Sequence, residues 1–183
     1  MLELNFSPFP EIKTARLLLR RMTDADAPEL LFLRSDDRVM RFIGREKTKT
    51  LEEATTFIQK INASVDSNEA IMWAIALKEE PARLVGTICF WNILTDHYRA
   101  EVGYVLHPEL WNKGIMKESV AAVIEYGFKE MKLHSIEGHI NPENAVSGIV
   151  LEKCGFVKEA YFRENFCFRD RFSDTAVYCL LAK

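Results

Sequence analysis

Ala100-Glu101-Val102-Gly103-Tyr104-Val105-Leu106-His107-Pro108-Glu109-Leu110-Trp111-Asn112-Lys113-Gly114-Ile115-Met116 is the stretch around which the rest of the chain can be ordered. Ala100 to Leu106 reads as a strand that stops at His107-Pro108, because proline has no amide to donate. After a short turn, Met116, Val120, Val123, Ile124 and Phe128 recur at helical spacing and predict a long helix from about Gly114 to Met131. A helix start leaves its first amides without intrahelical partners and carries the positive end of the helix dipole. Gly114 removes a side chain that would bar close approach, and Lys113 adds a cation. The amides of Asn112, Lys113, Gly114, Ile115 and Met116 therefore suit a pyrophosphate. The same glycine equally suits a plain tight turn, since single glycines ahead of helices are common.

Upstream, Arg16 to Arg21 holds Leu17-Leu18-Leu19 and predicts a first strand, with Thr23-Asp24 capping a helix through Leu30, Leu31 and Leu33. Thr50 and Glu53 form a capping box, followed by the amphipathic stripe Leu51, Ala54, Ile58, Ile61 and Val65. Ile71 to Leu77 and Leu84 to Ile93 read as a hairpin. Downstream, Ser135 to Ile140 is a strand, and Ala145 to Cys154 is a helix turning Val146, Ile149, Val150 and Cys154 inward, with Gly155 as its left-handed stop. Strands over Phe156 to Phe162 and about Phe172 to Leu181 close the chain. Early antiparallel hairpins followed by a β-α-β unit give an α/β mixed sheet with helices on it.

The 183 residues carry a net charge of −3, with 48% hydrophobic and 28% charged residues, which fits one globular domain spanning 1–183. No apolar run is long enough to span a bilayer, and the start of the chain lacks a basic leader, so a cytoplasmic protein without a membrane partner is expected. The acidic balance disfavours direct nucleic-acid binding. Cys89, Cys154, Cys167 and Cys179 make no C-x-x-C pair and read as reduced, mostly buried thiols. His134 and His139 share neither a strand face nor a helical stripe, so no metal site is expected. Dinucleotide, P-loop, α/β-hydrolase and zinc-protease motifs are missing.

Ala-Glu-Val-Gly-Tyr followed by Trp111-Asn112-Lys113-Gly114-Ile115-Met116 resembles the acetyl-CoA signature of the GNAT N-acetyltransferases, whose loop reads Arg/Gln-x-x-Gly-x-Gly/Ala. Trp111 stands for Arg/Gln, as is usual in the branch resembling the ribosomal-protein N-terminal (alanine/serine) acetyltransferases. Met116 replaces the small last residue and threatens to crowd the loop. Pro10 to Arg20 with Asp26 and Asp36 resembles that branch's first block, and Asn144-Ala145-Val146-Ser147 leading to Val150-Leu151-Glu152-Lys153-Cys154-Gly155-Phe156 its last.

The resemblance implies a single GNAT-like domain with helices on both faces and a central sheet splayed open between the parallel strands Ala100 to Leu106 and Ser135 to Ile140. It implies acetyl-CoA as co-substrate and no metal. The pantetheine arm would pair with backbone near Val105 and Leu106, with the pyrophosphate on the amides of Asn112 to Met116 and the acetyl group near Glu101, Asn141 and Ser147. Asn144 would cap its helix, meet a pantetheine amide, or both.

Acetyl transfer requires a neutral amine and a stabilised leaving thiolate. An α-amine, with a pKa of about 7.7–8.0, needs less help from a base than a lysine. Glu101 is the base to test, against the alternative that it faces solvent or pairs with Arg99 or a neighbouring strand. Many family members place a tyrosine where this chain has Leu151. Ser147, one turn earlier, supplies a hydroxyl for the thiolate or is simply the capping partner of Asn144. Trp73, Trp91 and Tyr104 belong to an acceptor groove or to the core, and Arg16, Arg20 and Arg21 to a solvated edge or a phosphate contact.

The expected activity is direct attack by a primary amine in a ternary complex. The acceptor is a peptide or protein N-terminus, or alternatively a polyamine, amino acid or antibiotic amine. A CoA-binding module without turnover and a protein-interaction domain are the competing readings. A homodimer is left open.

Overall fold

Ile71 to Leu77 is apolar on both sides, and a strand of that kind has to lie in the middle of a covered sheet. In the computed structural model, which describes residues 1–183, it does. The elements are β1 (Ile12–Lys13), β2 (Leu17–Arg20), α1 (Ala27–Leu33), α2 (Asp37–Met40), α3 (Leu51–Asp66), β3 (Ile71–Leu77), β4 (Gly86–Leu94), β5 (Arg99–Leu106), α4 (Ile115–Lys129), β6 (Ser135–Ile140), α5 (Ala145–Lys153), β7 (Val157–Phe168) and β8 (Arg171–Leu181). The strands make one eight-stranded sheet in the order β1-β2-β3-β4-β5-β6-β8-β7. Only β5 and β6 run parallel.

Alternation along the strands feeds two cores. On one face Val120 and Val123 of α4 and Leu151 of α5 pack with Trp73, Ile75, Phe90, Val102 and Ile136. On the other, Leu30 and Leu33 of α1 and Ala54 and Ile58 of α3 pack with Ala74 and Leu84. The expected mixed α/β sheet with helices on both faces is what forms. No helix is long and apolar enough to cross a membrane.

Four expectations are corrected. Val146 and Ile149 of α5 are exposed, and the helix instead turns Gly148 and Leu151 to the sheet. The Tyr178 hydroxyl lies 3.0 Å from where a Cβ at Gly148 would stand, and a glycine carries no hydrophobic signal to mark that approach. Leu51 is exposed because it is the first residue of α3, ahead of the turns that reach the sheet. β7 runs on to Phe168 and ends in the two-residue turn Arg169-Asp170, both at positive φ. Irregular pairing between Phe162 and Phe166 hides that extension from alternation counting. Cys167, in this extension, is exposed.

Arg16, Arg20 and Arg21 diverge. Arg20 forks onto Asp26 at 2.8 and 2.6 Å, and that carboxylate is almost fully buried. Arg21 pairs with Asp66 at the surface. Arg16 reaches the loop before α4.

Candidate active site

β5 and β6 pair at Arg99–Ser135, Ala100–Ile136 and Glu101–Glu137, and no further. β4 stays with β5 out to Leu106, and β8 stays with β6 out to Ile140. Beyond Glu101 the two parallel strands therefore part, and a gap opens toward the carboxyl end of β5. The His107 N–H donates to the Val85 carbonyl, which fixes the alternation of the β4–β5 ladder. By that alternation the backbone groups of Val102, Tyr104 and Leu106 turn to the gap, whereas those of Val105 turn to β4. Val105 is committed to Thr87, so of the two residues expected to meet the pantetheine arm only Leu106 turns toward the gap. At Leu106 the carbonyl already accepts the Trp111 indole N–H at 2.9 Å.

The loop between β5 and α4 closes this end. Asn112 and Gly114 take positive φ, at 61° and 74°. Gly114 is the residue before α4, and the Glu118 N–H is the first to bond back into the helix, to the Gly114 carbonyl. The amides of Ile115, Met116 and Lys117 are left as the unpaired donors of the helix start. The Ile115 and Met116 side chains are buried in the core. Met116 therefore does not crowd the loop; shortening it would empty a core position instead. Lys113 is exposed, and its carbonyl accepts from Arg16 at 2.9 Å.

At the inner end of the gap Glu101 is buried, with its carboxylate 3.9 Å from His139 Nδ1. His139 Nε2 lies 3.0 Å from Glu137, which in turn pairs with Arg99 at 3.0 Å. Arg99 therefore serves Glu137, and Glu101 neither faces solvent nor pairs with Arg99. Burial raises the Glu101 carboxyl above the ordinary glutamate range, while His139, a hydrogen bond from Asn92 and the Arg45 guanidinium work against that rise. Asn92 sits at positive φ in the irregular step between Trp91 and Leu94.

Trp91 pairs across the ladder with Glu101, and Arg45 lies over its indole at 5.5 Å. Trp91 is partly exposed, whereas Trp73 is fully buried with its indole N–H on the Pro10 carbonyl. Of these two tryptophans, only Trp73 is therefore a core residue.

Asn144 caps α5, its Oδ1 accepting the Ser147 N–H at 3.3 Å. The Asn141 Oδ1 accepts the Glu143 N–H at 2.9 Å, which leaves the Asn141 amide N–H groups free. Tyr104 sends its hydroxyl to the Ser147 carbonyl at 3.2 Å, joining β5 to the first turn of α5 across the gap. Burial keeps that phenol protonated well above its ordinary range. Leu151 is fully buried against Gly138 and brings no polar group here. Cys89, on the Glu101 side of the sheet, is pushed up to about 12 by burial.

A splayed parallel pair, a glycine-led helix start and a buried carboxylate at the fork form a receptacle for a long thioester with an anionic end. The family model described as "Acetyltransferase (GNAT) domain" matches residues 16–157. The chain belongs to the GNAT acetyltransferases. It is 35% identical to YoaA, an uncharacterized N-acetyltransferase of Bacillus subtilis, over 94% of this chain and 97% of that one. A GNAT-family acetyltransferase from Bacillus anthracis superposes with a TM-score of 0.82 at 34% identity, covering 94% of this chain and 98% of that one. The ribosomal protein uS5-alanine N-acetyltransferase of Escherichia coli is 28% identical over 53% of this chain and 50% of that one.

As a GNAT enzyme the protein is an acyl-CoA-dependent N-acetyltransferase, and the geometry fits its co-substrate. Tyr104, the Val102 carbonyl and the Leu106 N–H turn free backbone groups toward an extended arm, and the start of α4 offers free amides to phosphates. Sequence reasoning did not assign His139, Asn92 or Arg45. From sequence His139 is a candidate only for a metal, and it reaches Glu101 solely because of the parallel register.

Proposed function

We propose that this acetyltransferase modifies the α-amine of a peptide or protein N-terminus by direct attack in a ternary complex. Glu101 takes the ammonium proton, through one water, and Ser147 donates a hydrogen bond to the departing thiolate. The observation that carries this reading is the buried Glu101 carboxylate at the point where β5 and β6 part. A carboxylate whose proton affinity is raised by burial is a stronger base than a solvated one, and an α-amine asks less of it than a lysine would. It therefore suits an acceptor that is already partly neutral.

The thioester of acetyl-CoA supplies the acyl group; the chain's residues orient it and manage the protons. The Cys89 thiol, pushed up to about 12, is almost wholly protonated at neutral pH, which disfavours an acetyl-cysteine intermediate. The hydroxyl of Tyr104, on the Ser147 carbonyl, is the phenol available at the gap where Leu151 stands in the position of the family tyrosine. The partial likeness to an enzyme named for a ribosomal-protein alanine supports the α-amine acceptor.

A second reading, a small amine that also carries a carboxylate, is favoured by Arg45. This cation lies over Trp91 beside Glu101 and has no carboxylate partner of its own. Polyamines fit less well, since Arg45 would repel them.

Incubation with acetyl-CoA and two panels, N-terminal peptides and small amines, followed by mass spectrometry, tests the proposal. Acetylation of peptide α-amines is expected. Products confined to amino acids would replace it with the second reading, and products confined to polyamines would remove both.

A further inference from the structure

Arg16 comes from the first strand region, far in sequence from the loop before α4, yet it is bonded into that loop. Its Nε donates to Glu118 Oε2 at 2.7 Å, and its Nη1 donates to the Lys113 carbonyl at 2.9 Å. Its Nη2 lies 3.5 Å from where a Cβ on Gly114 would stand, so the guanidinium covers the glycine that leads α4. A guanidinium has five N–H donors. Two are used here, and Nη2 has no protein acceptor.

Glu118 is the second half of the device. It sits in the first turn of α4, where a carboxylate favours the helix but opposes a bound anion. Its two oxygens are taken by the Thr14 hydroxyl at 2.6 Å, the Arg16 amide at 2.9 Å and the Arg16 Nε, and these hydrogen bonds hold its carboxyl below the usual range. It is therefore ionised, and its charge is spent on Arg16 rather than presented to the loop.

We propose that Arg16 is the side-chain anchor of the CoA pyrophosphate. It holds the Lys113 carbonyl away from the phosphates, cancels the charge of Glu118, and points the free Nη2 at the diphosphate beside Gly114. The proposal rests on the reading of this loop as the phosphate cradle, and it adds what backbone amides lack, a fixed positive charge.

The test separates the phosphate end of the co-substrate from its thioester end. Calorimetry with CoA, and kinetics with acetyl-CoA and with phosphate-free S-acetylpantetheine, are compared for wild type, Arg16→Gln and Arg16→Lys. Arg16→Gln is expected to weaken CoA binding about tenfold or more, the scale of a lost charge-assisted hydrogen bond. It should raise KM for acetyl-CoA at unchanged kcat and leave S-acetylpantetheine turnover as in wild type. Arg16→Lys, which keeps a charge but not the fork, should fall between.

The double variant Arg16→Gln/Glu118→Gln should recover part of the lost affinity, because the uncompensated carboxylate is then gone. CoA affinity within twofold of wild type in Arg16→Gln would overturn the proposal, as would equal losses with both thioesters, which would mark a merely structural brace. A wild-type protein that binds no CoA would instead overturn the underlying reading of the loop, and this proposal with it.

Discussion

The two ends of the cleft are built from different materials. The β5 to α4 end is mostly backbone: a ladder that stops pairing after Glu101, a glycine at φ 74°, and free amides at the start of a helix. The opposite end is made of side chains delivered from distant parts of the chain. Arg45 comes from the segment after α2, Trp91 and Asn92 from β4, and His139 from β6, while the β7–β8 hairpin reaches over to the Arg45 segment. A backbone cradle recognises what all acyl-CoA donors share, and it tolerates change in most of its side chains. A side-chain groove recognises what distinguishes one amine from another, so it can be rebuilt by a few substitutions.

The sharpest break of that comparison is at Gly114. A Cβ there meets only an ordinary contact distance, since Arg16 is the nearest neighbour at 3.5 Å. The damage comes from the positive φ, which β-branched residues adopt only with strain, and from a side chain placed where the anion must approach. Gly114→Val should reduce CoA affinity about a hundredfold or more by calorimetry while changing amine selectivity among residual products very little. Loss of selectivity with intact CoA binding would reverse the assignment of the two ends.

Glu101 stands at the junction. Glu101→Gln should lower kcat by about 10²-fold, the lower end of the usual range for a positioned acid or base, with the defect shrinking as pH rises and the amine loses its own proton. The same substitution has an opposite consequence for stability. Because burial raises the Glu101 carboxyl in the folded state, the fold is favoured while this group is protonated, and that contribution is lost as pH rises through the raised pKa. Glu101→Gln should therefore melt higher than wild type at pH 7, with the gain disappearing below about pH 4, as both states take up the proton. A pH-independent rate defect would exclude proton transfer at this position.

The contrast between the ends also explains what could be read from the sequence. The glycine-led start of α4 and the Asn144 cap follow from local signals that a single sequence carries, whereas the fork between Ala100–Leu106 and Ser135–Ile140 is implied only by the family resemblance, because it depends on pairing between distant strands. The side to which Met116 turns does not, since a loop residue and the first turn of a helix overlap there, and its burial is decided by the sheet beneath. The inward face of α5 likewise departs from its apolar pattern, with Gly148 making the approach that the pattern assigns to Val146 and Ile149. His139 beside Glu101 depends on register between parallel strands, and Arg16 beside Gly114 depends on a long-range contact. Neither leaves a periodic trace.

The smallest expected effect concerns the clasp over the acceptor end. The Phe166 ring sits where Gly44 would carry a Cβ, 2.3 Å from that point, and Gly44 itself is at φ 61°. Two residues on, Glu46 accepts from Arg169 of the hairpin turn at 2.9 and 2.5 Å. Arg45 lies between these two contacts in the chain, so the clasp fixes the backbone from which its guanidinium reaches Trp91. Both partners of the ion pair are largely exposed, and such a pair adds little to the stability of the fold. Arg169→Gln should accordingly shift the melting temperature by no more than about 2–4 °C. Its effect should appear in the acceptor instead, as a KM raised about two- to fivefold at unchanged KM for acetyl-CoA, because a looser Arg45 costs binding only to the group it faces. Phe166→Ala should move the same constant further in the same direction. If both variants leave the acceptor KM unchanged, the hairpin only stabilises the fold, and the acceptor groove ends at Trp91.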